Sequence, residues 1–267
     1  MTNAYTHGHH ESVLRSHRWR TAKNSAGYLL PLLAPGAHLL DVGCGPGTIT
    51  MDLADAVGRD GHVTALERTA DALALARTEA DRRGTRNVSF TVANVQALDL
   101  PDHAFDVVHA HQVLQHVDDP VLALREMRRV CRPGGIVAVR DSDYAGFTWY
   151  PEVVELERWL NLYHAVARSN DAEPDAGRRL LSWARAAGFS DVRAGSSTWC
   201  FATSEDREWW GGLWADRMLE SDLARQAVDR GLATVEELSG IAAGWRRWAR
   251  QDDGWFSVLH GELLARA

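Results

Sequence analysis

The feature that most constrains this chain is a change of hydrophobic period around a cluster of glycines. His38-Leu-Leu-Asp-Val42 is a short apolar run that leads into Asp41-Val-Gly43-Cys-Gly45-Pro-Gly47-Thr48, and over residues 48–57 the apolar positions Ile49, Leu53, Ala56 and Val57 recur at helical spacing. That is a strand, a tight turn and a helix. The unit repeats downstream, with strands over 62–66, 88–93, 105–110 and 136–139, helices over 70–82 and 120–130, and a turn at Arg132-Pro-Gly-Gly135. Strands alternating with helices at this spacing specify an α/β fold, a mostly parallel sheet covered on both faces, and right-handed crossovers make it doubly wound.

The flanks read differently. Residues 1–35 are a polar lead-in followed by a helical register through Arg20, Thr21, Ala22, Ala26, Tyr28 and Leu29, stopped by Pro31 and Pro35-Gly36. From Pro151 the pattern is mainly helical over 152–168, 177–187, 205–230 and 234–250, and 192–201 and 255–264 read as strands that finish the sheet. We therefore expect a single domain over 1–267. Within it, 1–35 lies over the site, 36–144 is the ligand-binding core, 145–250 is a helical lid interleaved with a strand near 190–202, and 254–265 is the final strand.

Composition narrows the function. The chain carries 29 Lys+Arg against 36 Asp+Glu, a net charge of −7, with its arginine pairs scattered, which disfavours nucleic acid and anionic membranes as partners. There is no apolar run of transmembrane length and no apolar segment near the start, so the expectation is a cytoplasmic protein without membrane insertion. Cys44, Cys131 and Cys200 are far apart and odd in number, as reduced thiols would be. Ten of the 11 tryptophans lie at or beyond Trp149, so the second half is built differently from the first.

In an open parallel sheet the ligand sits at the carboxyl ends of the strands, where the glycine loop is. Glycines let the backbone approach a ligand and adopt positive φ, and the following helix supplies free amides. Glu67, twenty residues after Gly47 and at the end of the next strand, is placed to accept both hydroxyls of a ribose. A dinucleotide loop would carry its third glycine where this chain has Thr48, and Asp41 suits a cationic amine better than a pyrophosphate. The loop favours a ligand with ribose and ammonium.

These residues resemble the class I S-adenosylmethionine-dependent methyltransferases, in particular the small-molecule branch related to ubiquinone/menaquinone-biosynthesis methyltransferases. The resemblance runs from about Leu39 to Asp141. It rests on Leu-Leu-Asp-Val-Gly-Cys-Gly-Pro-Gly (39–47), Val-Thr-Ala-Leu-Glu (63–67), Ala-Phe-Asp-Val-Val (104–108), Leu-Gln-His-Val (114–117) and Arg-Val-Cys-Arg-Pro-Gly-Gly (129–135). It implies a Rossmann-like fold with S-adenosylmethionine as cofactor. Gly43, Cys44, Gly45 and Gly47 would then lie under the methionine part, Asp41 would orient the ammonium, Glu67 would hold the ribose, and Arg68 would flank the adenine. Where the family usually has an aspartate to meet the adenine amino group this chain has Asn94, followed by Val95, and His111 and Gln112 take the position beside the methyl-bearing sulfur.

Candidates for chemistry follow from position. His111 and His116 lie after the fourth strand, where a histidine of near-neutral pKa takes a proton from a hydroxyl or amine; His116 is alternatively a brace for the next helix. Asp141 and Asp143, two apart at the end of the fifth strand, share a face and read as base or substrate contact, or else as capping with a surface ion pair to Arg140. Tyr144 and Trp149 are substrate candidates, and so is His10, from a segment expected to close over the cofactor. The Tyr5-Thr-His7-Gly-His9-His10 cluster lacks further convergent ligands, so no metal is expected. The aromatic second half reads residue by residue as core, with a few rings facing the acceptor.

The sequence therefore points to methyl transfer onto O, N or C of a small apolar or aromatic metabolite, by a monomer or a homodimer. Alternatives are a nicotinamide-dinucleotide oxidoreductase, a non-catalytic cofactor-binding protein of the same fold, and an RNA methyltransferase, which the charge opposes.

Overall fold

The computed structural model describes residues 11–267. In chain order its first elements are α1 (Glu11–Trp19), α2 (Ala22–Ser25), β1 (His38–Val42), α3 (Thr48–Val57), β2 (His62–Glu67), α4 (Ala70–Arg83), β3 (Val88–Val92), β4 (Phe105–His111), α5 (Pro120–Val130) and β5 (Cys131–Ser142). There follow β6 (Thr148–Tyr150), α6 (Val154–Arg168), α7 (Leu180–Ala186), β7 (Val192–Phe201), α8 (Ser204–Glu220), α9 (Asp222–Asp229), α10 (Val235–Ala249) and β8 (Trp255–Arg266). Local chemistry sets the boundaries. Asp119 caps α5 through the Leu122 amide with Pro120 at the first helical position, and Thr203 and Thr234 open α8 and α10 with reciprocal capping boxes.

The chain divides into two compact units. The first in function comprises His17–Asp141, Ala176–Ser196 and His260–Ala267. Its strands run in the order β3-β2-β1-β4-β5-β8, and the pairs from β3 through β5 are parallel. This is the doubly wound sheet expected from the alternating periods. On one face Leu39, Val107, Ile136 and Ala138 pack against Ala22, Ala26, Leu29, Ile49 and Leu53; on the other Leu40, Val108, Val137 and Val139 pack against Leu124, Met127, Leu180 and Ala184. Register carries the first face onward to Asp41 beside His109 and to His111 beside Arg140, so the apolar stripe turns polar toward the carboxyl ends while remaining buried.

The other unit has residues 142–175 and 197–259 together with the described residues 11–16. Its core is aromatic. Trp159 is fully buried and meets Trp214 edge-on at 4.5 Å and Trp245 edge-on at 4.9 Å, while Phe256 lies against Trp149, Trp210, Trp245 and Trp248. The helices approach closely where glycine leaves room: a Cβ on Gly211 would stand 2.8 Å from that of Ala249, and one on Gly244 2.3 Å from that of Glu155. The antiparallel pairing of β6 with β8 completes the unit.

Several boundaries differ from the sequence reading. The stretch 205–230 is two helices, broken at the extended Ser221 (ψ 169°). The Arg132-Pro-Gly-Gly135 turn is absorbed into a longer β5, with a register irregularity opposite Phe105 and Val107. Strand β6 is too short to leave a periodic signal, and the helix expected across Arg20 to Leu29 is α2 followed by a single 3-10 turn at Leu30–Leu32. The longest segment of the sheet-bearing unit ends at Asp141.

Because Trp159 touches six other rings of its unit, Trp159→Ala should cost about 3–5 kcal/mol, the usual range for a large buried aromatic. Urea denaturation followed by tryptophan fluorescence checks this; a loss below about 1 kcal/mol would mean that the ring is not part of a packed core.

Candidate cofactor site and its buried polar cluster

The loop between β1 and α3 is tethered first by backbone: the Gly43 and Cys44 amides both donate to Leu66 O, at 2.8 and 3.1 Å. Gly43, Gly45 and Gly47 all take positive φ (68°, 53° and 83°), a conformation that side chains rarely adopt. The walls add a second reason at two of them. A Cβ on Gly43 would stand 2.4 Å from Val113 Cγ2, and one on Gly47 3.0 Å from Ala76 Cα, whereas Gly45 faces open space. The loop is thus packed on two sides and open at Gly45.

Two carboxylates flank it. Glu67 accepts the Gly45 amide at 3.1 Å through Oε1 and the Arg68 amide at 2.9 Å through Oε2, which fixes the carboxylate at the mouth of the loop with lone pairs to spare. Asp41 is 2 % exposed, and both its oxygens are taken within the protein, by Thr50 Oγ1 at 2.6 Å and His109 Nδ1 at 2.7 Å. Asp41 thereby ties β1 to α3 and β4. Burial, and then the charges of Asp41 and Glu67, push the Cys44 thiol far above its ordinary value, so the loop lies in a negative field with Cys44 inert within it. Such a field, with a ribose-ready carboxylate, fits a cationic nucleoside and opposes a pyrophosphate.

The adenine side is less complete. Asn94 is exposed, and its Oδ1 accepts the Gln96 amide at 3.0 Å, closing a local turn; one lone pair remains on that oxygen. The Val95 side chain is 6 % exposed and packs in the core, which leaves only its backbone to serve a ligand.

At the end of β4 the two candidate histidines do not have the near-neutral character expected of a base. His111 is 6 % exposed and stacks on His260 at 6.2 Å; burial, and then the cations Arg140 and Arg20, hold it well below the ordinary histidine value. His116 is depressed to about 3 by burial and by Arg20. Both rings are neutral and poor proton acceptors. His116 instead receives the Gln115 amide, with Gln115 Nε2 to His116 Nε2 at 3.0 Å. Gln112 sits in the left-handed region (φ 55°), donates its backbone N–H to Arg140 O at 2.7 Å, and contacts His260 Nε2 at 2.9 Å. A non-glycine residue held this way next to the glycine loop is a strained position of the kind that collects at functional sites.

Asp141 has the character that the histidines lack. It is fully buried; Oδ1 accepts the Gln115 amide at 3.1 Å, and Oδ2 has no hydrogen-bond partner. Desolvation raises its pKa to about 7, against the lowering effects of the Gln115 and Leu114 amides and of Arg140. Arg140 itself is 1 % exposed and pairs with Glu262 at 3.2 Å.

Two of the substrate candidates belong to the second unit. Tyr144 is 5 % exposed, its ring stacked on Tyr163 at 3.8 Å and on Phe147 at 4.4 Å, so it is core. Trp149 lies flat on Phe256 at 5.8 Å, a strand-to-strand contact between β6 and β8. Asp143 opens the 3-10 turn Tyr144–Gly146 and is buried. His10, with the whole Tyr5 to His10 cluster, lies outside the described residues. Sequence reasoning missed Gln115, His109 and Glu262; for the last two, polar residues at alternate positions of β4 and β8 were the available signal.

Comparison with known proteins agrees with this geometry. Residues 33–200 match the family described as "Methyltransferase domain". The chain belongs to the methyltransferase family. A protein of Schizosaccharomyces pombe described as an uncharacterized methyltransferase is 34% identical over 97% of this chain and 95% of its own length. A demethylmenaquinone methyltransferase of Lactococcus lactis is 29% identical over 59% of this chain and 67% of its own. Among solved structures, the [4+2]-cyclase SpnF superposes with a TM-score of 0.53 at 25% identity, covering 97% of this chain and 87% of that one. By family the chain is a methyltransferase, and among the described residues no helix is long and apolar enough to cross a membrane.

The raised carboxyl of Asp141 has a consequence for stability in this methyltransferase. With a folded pKa near 7 against 3.8 unfolded, the native state holds the proton more tightly. Its stability is therefore highest below about pH 4, falls as pH rises to 7, and is flat above, a total of about 4 kcal/mol at most. Asp141→Asn, a neutral mimic that keeps the oxygen accepting the Gln115 amide, should be more stable than wild type at pH 8 and similar at pH 4.5. Urea midpoints at the two pH values decide it; equal midpoints at pH 8 would mean the carboxyl is not desolvated.

Proposed function

We propose that this enzyme holds S-adenosylmethionine on the Gly43–Gly47 loop with its ribose on Glu67, and passes the methyl to a small apolar or aromatic acceptor. The observation that carries this reading is the anchoring of Glu67 to the Gly45 amide, which joins the ribose acceptor to the one open position of the loop. The cofactor supplies an activated methyl on a positively charged sulfur, so transfer leaves a neutral thioether. What the protein has to add is alignment in a dry site, which in well-oriented systems is worth up to about 7–11 kcal/mol.

Within that reading the residues divide the work. Gly43, Gly45 and Gly47 admit the methionine part, Glu67 and the Arg68 backbone frame the ribose, and Asn94 and the Val95 backbone border the adenine. Gln112 and His111 flank the reacting end, where neutral rings preserve the attraction of Asp41 and Glu67 for a cationic ligand. Water exclusion comes from the apolar packing around β4 and β5. A small ring acceptor is supported by the similarity to a demethylmenaquinone methyltransferase and by a net charge that disfavours RNA. The protein is expected to act in the cytoplasm, as a monomer or homodimer.

Calorimetric titration with S-adenosylmethionine, S-adenosylhomocysteine and NADH tests the cofactor site. Both adenosyl ligands should bind and NADH should not; binding of NADH alone would overturn the reading. Glu67→Ala should weaken S-adenosylhomocysteine at least tenfold, about 1.4 kcal/mol, while Glu67→Gln, which keeps an acceptor oxygen, should fall between. Affinity unchanged in Glu67→Ala would remove the ribose from this carboxylate.

A further inference from the structure

Two acceptor oxygens at the end of β4 and β5 are buried and without partners: Asp141 Oδ2, on a fully buried residue, and Gln115 Oε1, on a residue 3 % exposed. They belong to one cluster, because the Gln115 backbone N–H donates to the other oxygen of Asp141 at 3.1 Å. His116 sets the orientation of the Gln115 amide by taking its Nε2 at 3.0 Å, which leaves Oε1 as the atom the side chain presents. The cluster adjoins the cofactor loop through sequence: Val113, two residues before Gln115, is the side chain that packs on Gly43. Buried acceptors are nearly always paired, and each unpaired one costs about 1–3 kcal/mol. Two together, beside the loop, describe a place that lacks a hydrogen-bond donor.

We propose that Asp141 and Gln115 seat the O–H or N–H group of the methyl acceptor, with Asp141 Oδ2 taking its proton, so that this methyltransferase modifies a hydroxyl or amine and not a bare carbon. The inference rests on the cofactor placement given above. In the step, the bond from the acceptor heteroatom X to the methyl carbon forms as the carbon–sulfur bond breaks. The bonding pair stays on sulfur as a neutral thioether, and the X–H proton passes to Asp141. The carboxyl is suited to receive it, since desolvation has already raised its affinity for a proton to the neutral range, whereas His111 and His116 have been moved the other way. Gln115 contributes an acceptor without charge and so orients the group without competing for its proton.

The test uses the full chain saturated with S-adenosylhomocysteine, which cannot transfer a methyl. Arenes bearing one hydroxyl or amine, such as 2-naphthol and 2-naphthylamine, are titrated alongside their O- or N-methylated counterparts. In wild type the X–H member of a pair should bind at least tenfold tighter. Gln115→Leu should bring the two members within threefold of one another, and Asp141→Asn, which replaces an acceptor oxygen by a donor, should favour the methylated member. S-adenosylhomocysteine affinity should change less than twofold in both variants. Absence of preference in wild type, including no binding of any pair, overturns the proposal, and so does a preference that persists in Gln115→Leu. Loss of S-adenosylhomocysteine binding in wild type would instead overturn the cofactor placement. Labelled S-adenosylmethionine with the same arenes gives a second readout: label on the heteroatom supports the proposal and label on a ring carbon overturns it.

Discussion

Asp41 is the constraint on which the rest of the site depends. A carboxylate in a dry sheet is tolerated only when its oxygens are bonded, and here Thr50 from α3 and His109 from β4 supply both bonds. The glycine loop lies between Asp41 and Thr50, so its two ends are fixed by the same side chain. Its third tether crosses to the neighbouring strand, where register places His109 beside Asp41. The loop can then consist of three left-handed glycines with few side-chain contacts of its own and still present a defined shape. Glu67 extends the framework outward, because the amide it accepts belongs to Gly45, in the middle of that loop.

Around this framework, burial reverses the usual order of the titrating groups. Histidine is ordinarily the group that exchanges protons near neutrality, and aspartate the group that is always charged. At the end of β4, desolvation and the cations Arg20 and Arg140 remove His111 and His116 from that role, and at the end of β5 desolvation brings Asp141 into it. The two shifts share a cause, since a dry environment penalises the charged form of either type. Arg140 stays compatible with the same environment through Glu262, although burial still draws it down to about 10. The result is a region of neutral imidazoles with one carboxyl whose proton affinity lies in the neutral range.

What could be read from the sequence was whatever depends on neighbours in the chain. The change from period two to period 3.6 at Thr48, the glycine spacing and the acid at the end of β2 are local facts, and they located the sheet, the loop and Glu67. The role of Asp41 was not legible, because its partner His109 is 68 residues away and only strand register joins them. Asp141 was recognisable as a polar residue at a strand end, but not as a half-satisfied one, since that depends on the path of residues 114–116. Tyr144 shows the opposite failure. By position it belongs among substrate contacts, and only the stacking of Tyr163 and Phe147 on its ring assigns it to the core. Local pattern also overstated continuity, as at Ser221, where a helical period runs through a break that neither glycine nor proline marks.

The similarity to a [4+2]-cyclase makes clear that the sheet and loop alone do not determine the chemistry performed on them. A cycloaddition moves no proton to the protein and has no use for a carboxyl poised at neutrality. Methyl transfer to a hydroxyl or amine must dispose of a proton. Retaining an ionisable group at Asp141 lowers stability across the neutral range, where an asparagine of the same shape would still accept the Gln115 amide and carry no such penalty. A buried carboxyl with one open oxygen is thus a costly feature that the fold by itself does not require, and it is on that local imbalance that the proposed heteroatom acceptor rests.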